Sequence, residues 1–285
     1  VRTNIRMIKI IDNLTKRKNM KFRNKNKSIT LYGLVFLLIM GMNSCGSDVG
    51  VADSGNTVLS GSYASMLNIG SKLYILGETN LRVLDVANPL IPIHVTTVNV
   101  DADVESLFFN SGNLFVGSPQ GMYIYTLDGS GIPQLASITP YEQFAEILPC
   151  DPIVANDTLA FSTLSTSFDQ TGNCWRPESL NELHVYDIKD VSAPKNLARV
   201  EMEEPKGLGL ADDHLFVCER YNGIKAFNIS SPENPELVYS SNPFEAVDLI
   251  PANGTLLVVG VDTIHQFDYT DIDNIVKIST IATIN

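Results

Sequence analysis

One twelve-residue segment occurs five times without a gap and limits the folds open to this chain. It reads LRVLDVANPLIP from Leu81 to Pro92, MYIYTLDGSGIP from Met122 to Pro133 and LHVYDIKDVSAP from Leu183 to Pro194. The last two copies are IKAFNISSPENP from Ile224 to Pro235 and IHQFDYTDIDNI from Ile264 to Ile275. Each begins with β-branched, aliphatic or aromatic residues that favour a pleated strand and ends in turn residues that cannot continue a ladder. The fifth position is Asp85, Thr126, Asp187, Asn228 or Asp268, a short polar side chain able to bond the backbone of its own turn. Proline closes four copies and Ile275 the fifth, the degeneracy expected of a terminal repeat.

A Leu-led strand precedes each copy: Leu73–Leu76, Leu114–Val116, Leu159–Ser162, Leu215–Cys218 and Leu256–Val259. From Leu73 to Leu114, and from Leu215 to Leu256, the spacing is 41 residues. A strand also follows each copy, and a less regular one comes first, at 65–69, 104–109, 153–155, 207–211 and 247–250. Strands and turns at this period, with no helical periodicity after residue 45, predict an all-β protein, a β-propeller of about five four-stranded antiparallel blades. A sandwich, the rival architecture, leaves a gapless five-fold repeat unexplained. The near-continuous apolar character of the middle strands fits blades covered on both faces by neighbours. Ring closure is left open, with Thr57–Ser60 available as an extra strand or a latch.

Charge divides the chain. Residues 1–44 hold ten Lys or Arg and one acid, whereas residues 45–285 hold ten basic residues and 31 acids, within an overall net charge of −12. So acidic a body repels phosphate backbones and argues against nucleic-acid binding. The basic part reads as a targeting sequence: Lys21, Arg23, Lys25 and Lys27 precede an apolar run, Leu31–Met42, too short to span a bilayer comfortably. It ends in Asn43-Ser44-Cys45-Gly46, which resembles the lipobox of bacterial lipoproteins, although Met42 and Asn43 depart from its commonest form. That resemblance implies lipidation at Cys45; an ordinary signal peptide or an uncleaved anchor are the alternatives. The expected divisions are an over-extended start at 1–19, a signal peptide at 20–44, a lipidated tether at 45–60 and the propeller at 61–285. Residues 46–48 resemble the export signals of Bacteroidetes surface lipoproteins, implying an outer-membrane location on the periplasmic or the exposed face.

Of the other cysteines, Cys150 and Cys174 bracket an insertion and are placed to form a disulfide, which would contribute roughly 3 kcal/mol through loop closure. Cys218, within an apolar strand, reads as a buried free thiol. One plausible pair and no CxxC give no basis for a zinc site, and no metal or cofactor is expected.

The units resemble LVIVD repeats, the pattern of an apolar strand, Asp-Val and Asn-Pro-x-x-Pro found in bacterial surface β-propellers. They are most similar to the LVIVD-repeat lipoproteins of Bacteroidetes through Cys150-Asp151-Pro152-Ile153-Val154, Gly207-Leu208-Gly209-Leu210 and Gln266-Phe267-Asp268-Tyr269. The resemblance covers roughly residues 56–282 and implies a fold, not an activity.

Function is therefore sought where the repeat is broken. Between the second and third strands of unit three, the segment Thr163–Glu182 far exceeds a short hairpin, and long loops on regular scaffolds often carry binding. It holds Phe168, Asp169, Trp175 and Arg176. Loops on the same face add Glu219, Arg220, Tyr221 and Asn222, with Glu78, Asn80, Gln120 and Asp262 beyond them, and blade-linking loops add Asp101, Asp103, Tyr141, Glu142, Glu203, Glu204 and Phe244. This chemistry suits a protein or glycan partner; the plainer reading has Trp175 packing on the Cys150–Cys174 bridge. His184 and His265 stand at equivalent positions, read as solvated, where other units carry Arg82, Tyr123 and Lys225. No catalytic residue is assigned, since HExxH, GxSxG and a phosphate loop are all lacking. The expected function is a lipid-anchored, non-catalytic binding or scaffolding module, with a carbohydrate-active enzyme using channel carboxylates as the alternative.

Overall fold

The computed structural model describes residues 61–100, 104–141, 152–165 and 180–283. They form five four-stranded antiparallel sheets, each with its strands paired in chain order. Blade 1 comprises β1 (Met66–Ile69), β2 (Lys72–Leu76), β3 (Asn80–Asp85) and β4 (Ile93–Asn99). Blade 2 comprises β5 (Ser106–Asn110), β6 (Asn113–Ser118), β7 (Gly121–Leu127) and β8 (Pro133–Pro140). Blade 3 comprises β9 (Ile153–Ala155), β10 (Leu159–Ser165), β11 (Asn181–Asp187) and β12 (Lys195–Glu201). Blade 4 comprises β13 (Leu208–Ala211), β14 (His214–Cys218), β15 (Ile224–Asn228) and β16 (Glu236–Ser240). Blade 5 comprises β17 (Asp248–Ala252), β18 (Thr255–Val259), β19 (Thr263–Asp268) and β20 (Val276–Ala282). The twelve-residue segment is thus the third strand and its exit turn, as its composition predicts.

The turn works through the side chain at the fifth position. Asp85, Asp187, Asn228 and Asp268 each accept the backbone N–H two residues on, at 2.9 Å. Thr126 is the exception, and its role passes to Asp128, whose carboxylate accepts from Ser130 and Ile132. Asp85 gains a second donor, Lys72 Nζ at 2.8 Å, and with the Ala87 amide it holds the carboxyl below its ordinary range. The degenerate fifth turn closes into one 3₁₀ turn, Ile272–Asn274, capped by Asp271.

A second device repeats at the same place. Between the third and fourth positions of every segment the pairing slips: Val83/Leu84, Ile124/Tyr125, Val185/Tyr186, Ala226/Phe227 and Gln266/Phe267. One residue of each outer strand is left over: Val95, Ala136, Leu197, Val238 and Ile278. Such a bulge sharpens local twist, and here it turns every outer strand by the same device.

Packing between blades makes four apolar cores, one for each consecutive pair. At the junction of blades 4 and 5, Phe216, Cys218, Ile224 and Ala226 meet Leu249, Leu256, Val258 and Phe267. Burial of each large side chain in such a core stabilises by about 1.5–3 kcal/mol. Cys218 is a buried free thiol, as expected, and burial pushes its pKa well up. Gly207 and Gly209 lie so close to β17 that an added Cβ would meet Asp248 and Pro251, so the inner strands crowd together where side chains are smallest.

Three expectations need correction. Blades 2, 3 and 4 are covered on both faces, but among the described residues no core joins blade 5 to blade 1. Strands β10 and β11 also run further than composition implied, so residues 166–180, rather than 163–182, separate them. Finally, the strand position of His184 and His265 is not solvated, since both are buried. It faces the preceding blade, and only in blade 1, against whose back no blade packs among the described residues, does the side chain there, Arg82, stand exposed. Cys45, Cys150, Cys174, Phe168, Asp169, Trp175 and Arg176 lie outside the described residues.

Candidate functional site

The loops between second and third strands do share a face with the blade-linking segments. Backbone bonds connect them at three blades: Val104 N–H donates to Glu78, Tyr141 to Gln120 and Ala246 to Arg220. On this face the described side chains converge at blade 4, in the turn Glu219–Gly223 that joins β14 to β15. Gly223 adopts φ +80° there, and Arg220 is left-handed at φ +28°.

Glu219 organises the turn from within. It is fully buried, and its carboxylate accepts from Glu203 N–H at 3.3 Å, Glu204 N–H at 2.8 Å and Lys225 Nζ at 2.7 Å. It is therefore a support beneath the face and does not itself face solvent, contrary to its expected place in the binding surface. Around it, Arg220 pairs with Glu204 at 2.7 Å, and Asn222 donates to Glu203 at 2.6 Å. Lys206 lies 3.9 Å from Glu204 and donates to Ser165 Oγ at 3.5 Å. Its pKa is lowered by burial, with Glu204 opposing that shift. Thr163 and Ser165, at the foot of the insertion, bond Lys206 O and Asn181, so the root of the loop and the blade 4 turn form one network. Tyr221 projects from it, 56 % exposed, with the Arg220 guanidinium 4.8 Å from its ring centre.

A cavity stands on the opposite face, where sequence reasoning placed nothing. About 900 Å³ in volume, it lies between the β13–β14 and β17–β18 hairpins and the turn after β19, and is lined by Asp212, Asp213, His214, Asn253, Tyr269 and Thr270 among others. Tyr269 packs on Phe216 with ring centres 5.1 Å apart. The signal was present in the repeat: the sixth position is Val86, Leu127, Ile188 or Ile229 in four units and Tyr269 in the fifth. At the junction of blades 1 and 2 the corresponding groove is bridged by Tyr74, whose hydroxyl donates to Gly131 O at 2.8 Å.

A third place has the makings of a hydrolase triad. His184 lies opposite Ser162 on the next strand, and its Nε2 is 2.7 Å from Glu182. The order is wrong, because Nδ1 is bound to Tyr186 Oη at 2.9 Å, and buried Ser162 Oγ has no partner. Burial lowers the His184 pKa against the pull of Glu182. Near the axis, the carboxylate of Asp248 is raised in pKa by burial and accepts from Ser62 Oγ at 2.8 Å and from the Ser62, Tyr63 and Leu249 amides. Among the described residues no cluster of three or more His, Cys, Asp or Glu is suited to a metal ion.

No protein-family model matches the chain, and no curated protein matches it. Solved structures do. A Lactobacillus plantarum protein superposes with a TM-score of 0.58 at 15 % identity, over 75 % of this chain and 69 % of its own. A functionally unknown protein from Desulfotomaculum acetoxidans gives 0.60 at 12 %, over 80 % and 69 %. The periplasmic gluconolactonase of Pseudomonas aeruginosa gives 0.55 at 14 %, over 75 % and 68 %. At such identities the likeness concerns architecture alone: the chain has the β-propeller fold, in five four-stranded blades.

Proposed function

We propose that this protein is a non-catalytic binding or scaffolding module of the bacterial cell envelope, held to the outer membrane through a lipid on Cys45, of the LVIVD-repeat lipoprotein type. It takes a protein or glycan partner on the face carrying the blade 4 turn and the insertion rooted beside it. The observation that carries this reading is the Glu219 network, which holds Arg220, Tyr221 and Asn222 on a rigid base. An exposed Tyr beside an ion-paired Arg, fixed from below, has the chemistry of interface anchors.

The carbohydrate-active alternative draws less support. Its channel carboxylate, Asp248, already accepts from residues 62, 63 and 249, so its hydrogen bonds build the chain entry. The test is capture from outer-membrane extracts and binding to immobilised envelope glycans. Tyr221→Ala with Arg220→Ala, or Trp175→Ala with Arg176→Ala, should each abolish retention of the ligand. Full retention by both double variants overturns the proposal, and so does turnover of a bound glycan.

A further inference from the structure

Each internal junction joins a forward face, pointing to the next blade, to the back face of that blade. The register assigns the residues. On the back of blade 2, Leu107, Leu114, Val116, Tyr123 and Tyr125 are all buried. Their counterparts on blade 1, Met66, Leu73, Ile75, Arg82 and Leu84, are all at least partly exposed, Met66 by 57 %. The forward side of blade 4 buries Phe216, Cys218, Ile224 and Ala226 completely. On blade 5 the same positions hold Leu257, Val259, Ile264 and Gln266, none of them buried. Seven of the nine residues at these two ends, all but Arg82 and Gln266, are apolar, so both are apolar faces shaped for a blade.

We propose that these two faces are the halves of one intermolecular junction, in which the forward face of blade 5 docks on the back face of blade 1 of a second copy of this chain. A second copy supplies the matching surface, since forward-on-back is the contact this sequence makes four times within itself. Charge agrees in sign: the back face carries Arg82 and the forward face Asp268, while Asp248 on that same forward face is already taken up by residues 62, 63 and 249. Size agrees as well: four strands about 4.8 Å apart and about five residues long span roughly 19 by 16 Å. Two such faces in contact remove roughly 600 Å² as planes and, with side-chain relief, approach the roughly 1,000 Å² of a specific interface.

Because the two faces differ, the contact is heterologous and its test can be specific. The full chain, purified in mild detergent, is sized by light scattering alone and as the variants Met66→Asp on the back face and Ile281→Asp, opposite Ile264 on the forward face, at residues 57 % and 52 % exposed. Both substitutions fall on surface already open to water, so each variant should keep the wild-type circular dichroism and melting temperature. The wild type should associate, and each variant should weaken association at least about 100-fold by burying an uncompensated carboxylate. Mixing the two variants should restore a two-chain complex, because one intact forward face and one intact back face remain. A monomeric wild type, whether its ring closes on itself or another segment covers the ends, overturns the proposal; so does a variant that still associates or a mixture that does not.

Discussion

Replacing Glu219 with alanine should destabilise the propeller by about 3 kcal/mol. The carboxylate is fully buried and accepts from two backbone amides and Lys225. Glu203 is exposed and Glu204 half-buried, so water can partly replace the lost acceptor, and each amide contributes about 1 kcal/mol of loss, the low end for such a group. The ammonium of Lys225, its side chain 17 % exposed, loses its counter-charge, which adds about 1 kcal/mol after discounting for residual solvent access. For a domain of this size each kcal/mol moves Tm by about 2–4 °C, giving a fall of roughly 6–12 °C by calorimetry or circular dichroism. Glu219→Gln keeps one acceptor oxygen and should fall between the two. Adding Lys225→Met to Glu219→Ala should recover stability, since it removes the unpaired ammonium. A fall under about 2 °C for Glu219→Ala, or a further loss from Lys225→Met, would refute the assignment of Glu219 as the organising charge.

Three further outcomes follow from the same geometry. Gly223→Ala should cost about 2–3 kcal/mol, because residue 223 sits at φ +80° where an added Cβ meets Ser241 Oγ and Asn242 O; urea midpoints check it. His184 and His265 have folded pKa values lowered by burial from 6.5. Their contribution to stability is thus complete above pH about 6.5 and is lost as pH falls through that value toward the folded pKa. Stability should decline between pH 7.5 and 5.5, and the slope should shrink in His184→Gln; an unchanged slope excludes His184 as a source. The Cys218 thiol should be silent to a thiol reagent in the native protein and react only on unfolding, and prompt modification of Cys218 in the folded chain would show that its strand opens.

The repeat alone determined the secondary structure, the number of sheets and the turn chemistry, because a strand that ends in Asp and a proline-bearing turn carries its instructions within twelve residues. Asp85, Asp187, Asn228 and Asp268 could be assigned as caps for that reason: their partners are two residues away. Tyr269 was equally legible, as a break in an aliphatic column, although the cavity beside it depends on the neighbouring blade. What tertiary structure decided was every contact between blades. Glu219 looks in sequence like an exposed loop acid, yet its partners are the amides of residues 203 and 204, brought beneath it by the link from blade 3. His184 and Arg82 occupy the same strand position, and nothing local distinguishes their burial. One has a blade against it and the other does not, a difference that exists only once the five sheets are arranged around an axis.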